Sequence, residues 1–143
     1  MVDTKFSMAL HVLSMISEER NTLSSADIAR SVGTNASYIR RLLSTLKSNG
    51  IITSQQGKSG YTLAKSPAEL SLFEIYCATQ DTSGVTVFHV HQHPNLECPV
   101  GKNIENAINP LFADAVAQLE ASLKDHSLQD VIDGLYLSAG VCN

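Results

Sequence analysis

Apolar and polar positions along this chain follow a helical period up to about residue 49, and then switch to a strand period. From Thr4 to Glu19, Phe6, Ala9, Leu10, Leu13 and Ile16 recur at helical spacing and predict a first helix. Glu18 to Asn21 form a polar connector. Ser24 with Asp27 then makes a capping-box-like start, Ile28, Ala29 and Val32 supply a short apolar stripe, and Gly33-Thr34 breaks it. Asn35 is a good N-cap, because its side-chain oxygen accepts an N–H of the first turn. Ile39, Leu42, Leu43 and Leu46 follow at the i, i+3, i+4, i+7 spacing of one helical face. Asn49-Gly50 ends this third helix, since both residues tolerate a left-handed cap. Ile51 to Ser54 is β-branched, Gln56 to Gly60 is a turn, and Tyr61 to Leu63 reads as a returning strand.

Two short helices joined by a tight turn with glycine form a helix-turn-helix pattern, whose second helix enters a DNA major groove. The same spacing fits an ordinary helical hairpin. A small β-hairpin directly after the third helix, a wing, favours the DNA-binding reading. The outward face of that helix carries Ser37, Arg40, Arg41 and Ser44 and no acidic residue, which suits a polyanion. The candidate DNA contacts are Thr34 and Asn35 at its start, then Ser37, Tyr38, Arg40, Arg41 and Ser44, with Gln56, Lys58 and Ser59 on the wing. Arg40 and Arg41 suit either guanine edges or phosphates. Tyr38 either faces DNA or packs on the second helix. Glycines beside Lys58 let backbone N–H groups approach phosphates closely.

Ser66-Pro67 opens a new segment. Ser71 with Glu74 makes a capping box for a short helix through Leu72, Phe73, Ile75 and Tyr76 to about Thr79. Asp81 to Gly84 is a loop. Val85 to His91 alternates as a short strand would, and His93 to Gly101 is a loop rich in turn formers. Lys102 to Lys124 carries the longest helical pattern, and Pro110 is expected to bend or split it. Its stripe must be buried somewhere. A homodimer seam through Ile104, Ile108, Leu111, Phe112, Ala115, Leu119 and Leu123 is the expectation, and packing on its own domain is the alternative. Ser127 caps a last helix carrying Leu128, Val131, Ile132 and Leu135. The expected fold class is mainly α with a small β-hairpin wing. A winged helix-turn-helix DNA-binding domain occupies 1–65. An effector loop and dimerisation region, with a long helix at about 102–124, occupies 66–143.

Charge sharpens this division. Residues 1–65 hold eight Lys/Arg against four Asp/Glu, and residues 66–143 hold two against ten, so a half at +4 joins a half at −8. A basic head on an acidic body is the asymmetry of a nucleic-acid reader with a separate assembly region. Hydrophobic content of 43% with 17% charged residues fits a globular protein. No apolar run approaches the ~18 residues of a membrane span, and no basic leader precedes an apolar core, so no membrane contact and a cytoplasmic location are expected.

The three cysteines, Cys77, Cys98 and Cys142, show no CxxC spacing, which argues against a disulfide scaffold. Cys98 lies just ahead of the long helix, whose dipole favours a thiolate. It is the redox candidate, with Cys142 a possible partner across a dimer; the alternative is a small side chain that merely packs. Cys77 reads as core. His89, His91 and His93 alternate and with Cys98 make a weak metal set, against which stands the reading of solvent-facing histidines. No nucleophile–base–orienter set and no phosphate-cradling glycine loop is visible, so no enzyme is expected. The rivals are a metal-binding or enzymatic protein built on those histidines and Cys98, and a protein–protein adaptor using the long helix.

An apolar first helix, Ser25-Ala26-Asp27-Ile28-Ala29, Asn35 to Arg41, Asn49-Gly50-Ile51-Ile52 and Gly57-Lys58-Ser59-Gly60-Tyr61-Thr62-Leu63-Ala64 follow in order. Together they resemble the Rrf family of bacterial winged-helix transcription regulators. Glu97-Cys98-Pro99-Val100-Gly101 before a long helix is similar to its YwnA-like branch. The resemblance covers nearly the whole chain. It implies a homodimer joined through the long helix, bound to a pseudo-palindromic operator as a repressor that blocks RNA polymerase indirectly. Two departures stand out. Ser59 replaces the first of the paired glycines usual before the wing aromatic. The cluster-binding members carry three cysteines in the loop before the long helix, and this chain has Cys98 alone there, so an iron–sulfur cluster lacks ligands and no cofactor is expected.

Overall fold

The computed structural model describes residues 3–18, 23–54 and 60–140. Six helices and one hairpin follow in order: α1 (Lys5–Glu18), α2 (Ser25–Val32), α3 (Ala36–Ser48), β1 (Ile52–Thr53), β2 (Thr62–Leu63), α4 (Leu72–Gln80), α5 (Pro99–Asp125) and α6 (Leu128–Ser138). The local signals for these elements act as expected. The Ser24 hydroxyl accepts the Asp27 N–H while the Asp27 carboxylate accepts the Ser24 N–H, a complete capping box at α2. Ser127 and Asp130 close the same box at α6. At α4 half of it forms. Ser71 accepts the Glu74 N–H, but the Glu74 carboxylate turns away to Lys65 at 2.9 Å. The helix end at 49–50 also differs: Gly50 alone takes the left-handed conformation (φ 77°), and Asn49 stays at φ −96°.

β1 and β2 pair antiparallel, with Ile52 opposite Leu63 and Thr53 opposite Thr62. The two threonine hydroxyls meet at 2.9 Å. Elsewhere Leu72 donates its N–H to the carbonyl of His126, and Leu128 to that of Leu70, each at 2.9 Å. These bonds set the starts of α4 and α6 side by side.

One apolar core runs beneath the helices. Ala9, Val12 and Leu13 of α1 meet Ile28 and Ala29 of α2, Ile39, Leu42, Leu43 and Leu46 of α3, Ile75 and Ala78 of α4, and Leu128 and Ile132 of α6. Ile16 packs at its edge, as its place on the α1 stripe predicts. Each buried valine, leucine or isoleucine among them contributes about 1.5–3 kcal/mol on burial. The α3 face is thereby fixed inward, and its polar face outward.

The long helix differs from expectation at its start, and of the two outcomes expected at Pro110, a bend or a split, it is not split. It begins at Pro99, since Cys98 is its N-cap and a proline in the first turn loses no hydrogen bond. Pro110 lies inside an unbroken α5 and is exposed, and its ring nitrogen donates no hydrogen bond to the preceding turn. Not one of the 27 residues of α5 is buried. The helix touches α4 and the loop before it: the Phe88 and Phe112 rings stack at 5.0 Å, and the Lys124 ammonium lies 4.6 Å from the centre of Phe73.

Candidate nucleic-acid interface

Asn35 begins α3 by accepting the Tyr38 N–H on its side-chain oxygen at 2.8 Å. Four apolar residues then anchor the inner face, leaving Ser37, Arg40, Arg41 and Ser44 exposed on the outer one. Lys47, one turn beyond Ser44, is exposed on the same side. Its i+3 spacing is the signal that should have added it to the candidate contacts. Tyr38 is half-buried and packs at the core edge, and the Arg41 guanidinium lies 5.7 Å from its ring centre. Thr34 is half-buried in the turn, its N–H donated to the carbonyl of Ala29.

The electrostatics of this face are simple. Among the described residues the ion pairs are Arg30–Asp27, Lys65–Glu74 and His126–Asp130. None involves Arg40, Arg41 or Lys47. Their charges are therefore free to meet an anionic partner. The wing candidates Gln56, Lys58 and Ser59 lie outside the described residues, while Thr53 and Thr62 at the wing base are exposed.

The loop before α5 corrects one expectation. Val85 to His91 forms no strand, because alternation needs a neighbouring strand to satisfy its backbone, and none is supplied among the described residues. The Val85 N–H is instead donated to the Glu120 carboxylate of α5 at 3.1 Å. His89, His91 and His93 are exposed, and no group of three His, Cys, Asp or Glu among the described residues could hold a metal ion. The alternating-histidine metal set is thus not assembled.

Cys98 is exposed at the N-cap of α5. Its side chain closes no capping hydrogen bond, yet the N–H groups of Gly101 and then Val100 face it and lower its thiol pKa from the ordinary value. The turn is built around Asn95, whose carbonyl accepts the Cys98 N–H and whose side-chain oxygen accepts the Glu97 N–H. Gly101 lies so close to the Asn95 carbonyl that a Cβ there would collide with it. Cys77, half-buried on α4, has its thiol pKa raised, first by burial and then by the charge of Glu120. Cys142 lies outside the described residues.

On α5 the expected seam residues divide. Leu111 is 68% exposed and Leu119 39%, with Ala115 exposed between them, whereas Ile104, Ile108, Phe112 and Leu123 are half-buried. No helix among the described residues is long and apolar enough to cross a membrane.

Comparison with known proteins places this architecture. The family model described as Rrf2, iron-dependent transcriptional regulator, matches residues 2–134. A candidate HTH-type transcriptional regulator, YwnA of Bacillus subtilis (strain 168), is 42% identical over 136 residues, spanning 95% of this chain and all of that one. Among solved structures, a candidate DNA-binding protein superposes with a TM-score of 0.74 at 39% identity, over 90% of this chain and 98% of its own. CymR, the global cysteine regulator of B. subtilis, shares the fold at 18% identity and a TM-score of 0.69, over 93% and 96% of the two chains. The iron in the family description does not fit the donors here, because Cys98 is alone in its loop and no three-donor cluster forms among the described residues. The chain belongs to the Rrf2 family of winged-helix transcriptional regulators and is not an enzyme.

Proposed function

We propose that this protein is a sequence-specific DNA-binding repressor that acts as a homodimer on a pseudo-palindromic operator. The observation that carries the reading is the outer face of α3, where Arg40, Arg41 and Lys47 stand exposed without a carboxylate partner among the described residues. Residues 1–65 read the DNA, with Thr34, Asn35, Ser37 and Ser44 flanking the arginines and the wing, including Gln56, Lys58 and Ser59, on the backbone. Residues 66–143 assemble two copies. Half-sites on one face of a duplex lie about 34–36 Å apart. A 27-residue helix is about 40 Å long, so α5 has the length to set two heads at that spacing. Its exposed Leu111, Ala115 and Leu119, with Ile104, Ile108, Phe112 and Leu123 beside them, form the pairing face.

Operator occupancy blocks polymerase, and Cys98 makes that occupancy responsive to oxidants. Its exposure and lowered thiol pKa support this role, since the thiolate is the oxidisable form. Cys142 is the candidate resolving thiol. Footprinting on DNA flanking the protein's own coding sequence tests the whole reading. Two protected half-sites one helical turn apart, lost on treatment with diamide and restored by dithiothreitol, are expected. A single unpaired footprint would refute the dimer, and a footprint indifferent to diamide would refute the thiol switch.

A further inference from the structure

Asn49 closes the C-terminal end of the reading helix, and its backbone gives no reason for an asparagine there. It sits at φ −96°, a conformation open to any residue, while Gly50 takes the left-handed turn. The side chain supplies the reason. Its amide nitrogen donates to the Thr45 carbonyl at 2.9 Å and to the Ala78 carbonyl of α4 at 3.4 Å. A side-chain amide carries two N–H bonds, so one can serve each helix.

Both acceptors are carbonyls of a last helical turn, which have no partner inside their own helix. Thr45 also receives the Asn49 backbone N–H and the Ser48 hydroxyl. On α4, Asp81 and Thr82 both donate to Cys77. The next carbonyl, of buried Ala78, takes the Asn49 amide.

α4 is itself fixed to the segment proposed to assemble two copies. Leu72 at its start bonds to His126, Leu70 just before it accepts from Leu128, and Lys124 of α5 lies over Phe73. The Asn49 bond therefore reaches across 29 positions, from the proposed reading segment to the proposed assembly segment. Lys65, just after the wing, pairs with Glu74 of α4 as a second link. That pair is exposed and screened by salt, so it holds little. The neutral amide on two carbonyls is the tie that salt leaves in place.

We propose that Asn49 is a positioning residue for DNA reading, its amide fixing α3 against α4 and so setting where each reading helix points when two copies hold one operator. The proposal rests on the homodimer reading above. Losing the amide leaves α3 folded, since Leu42, Leu43 and Leu46 stay in the core. It also leaves Arg40 and Arg41 in place. A single head can turn to suit its own half-site. Two heads joined through their bodies cannot both do so, and the cost falls on the paired site. Aspartate should be worse than alanine at this position. It has nearly the same shape, offers no N–H when ionised, and sets a negative charge against the negative ends of two helices.

The test is fluorescence anisotropy of the full-length chain at fixed salt, on a duplex with both half-sites and on one with a single half-site. Circular dichroism and sedimentation equilibrium follow the fold and the dimer of each variant. Asn49→Ala should lose about tenfold in affinity for the paired duplex, as one hydrogen bond lost in each copy requires, and stay within about twofold of wild type on the single half-site. Asn49→Asp should lose about threefold more on the paired duplex. Equal losses on the two duplexes would make Asn49 a direct DNA contact or a general stabiliser, and overturn the positioning role. An aspartate variant that binds the paired duplex as wild type does, or an alanine variant that no longer dimerises, overturns it as well. A wild type with no preference for the paired duplex overturns the homodimer reading, and the proposal with it.

Discussion

The side-chain oxygen of Asn35 accepts the backbone N–H of Tyr38 at 2.8 Å, and this bond decides where the reading helix begins. Without it the first turn of α3 leaves one more N–H unpaired beside the proposed DNA surface. Asn35→Ala should lower unfolding free energy by about 1 kcal/mol, and Asn35→Asp should preserve it. Urea denaturation measures this. An unchanged midpoint in Asn35→Ala would mean that packing of Ile39 and Leu42 alone positions the helix start.

Asp27 makes stability at the head of the helix-turn-helix depend on pH. Hydrogen bonding from Ser24, side chain first and then backbone, holds its carboxyl below the ordinary value, with Arg30 adding to the effect. A depressed folded pKa contributes stability above the unfolded value, near 3.9, and loses it as pH falls through the folded value. Asp27→Asn should therefore melt at lower temperature than wild type at pH 6, with the gap closing below about pH 4. Thermal melts across pH 2.5 to 6 check this, and a gap constant over that range would contradict it.

The two described thiols should part company chemically. Cys98 is exposed with a lowered pKa and Cys77 is half-buried with a raised one. Limited alkylation by iodoacetamide at pH 7, read by mass spectrometry of peptides, should mark Cys98 well before Cys77. Cys98→Ser should also abolish the response of DNA binding to diamide. Equal labelling of the two thiols, or a variant that still responds, would remove Cys98 from the proposed switch.

How much of this was legible in the sequence depended on how local the signal was. Ser24, Asn35, Ser71 and Ser127 announce helix starts within four residues, and all four act as N-caps. The α3 stripe, the turn at Gly33 and the hairpin strands were readable for the same reason. Val85 to His91 misled because alternation states a period but not a partner, and the Val85 N–H went to Glu120, 35 residues away. The start of α5 at Pro99 was hidden by reading the proline as part of a loop. The bond from Asn49 to Ala78 leaves no pattern at all. It joins residues brought together by the core, and it spans 29 positions.

DNA binding by this protein is proposed to depend on the outer face of α3. A gel shift at fixed salt, comparing wild type with Arg40→Ala plus Arg41→Ala on the DNA the wild type protects, measures it directly. Both arginines are exposed and outside the core, so the double variant should keep its fold and its dimer. Its DNA affinity should fall by about 100-fold, as loss of two base or phosphate contacts of about 1–3 kcal/mol each requires. Unchanged affinity in the double variant would contradict the assignment of α3 as the reading helix.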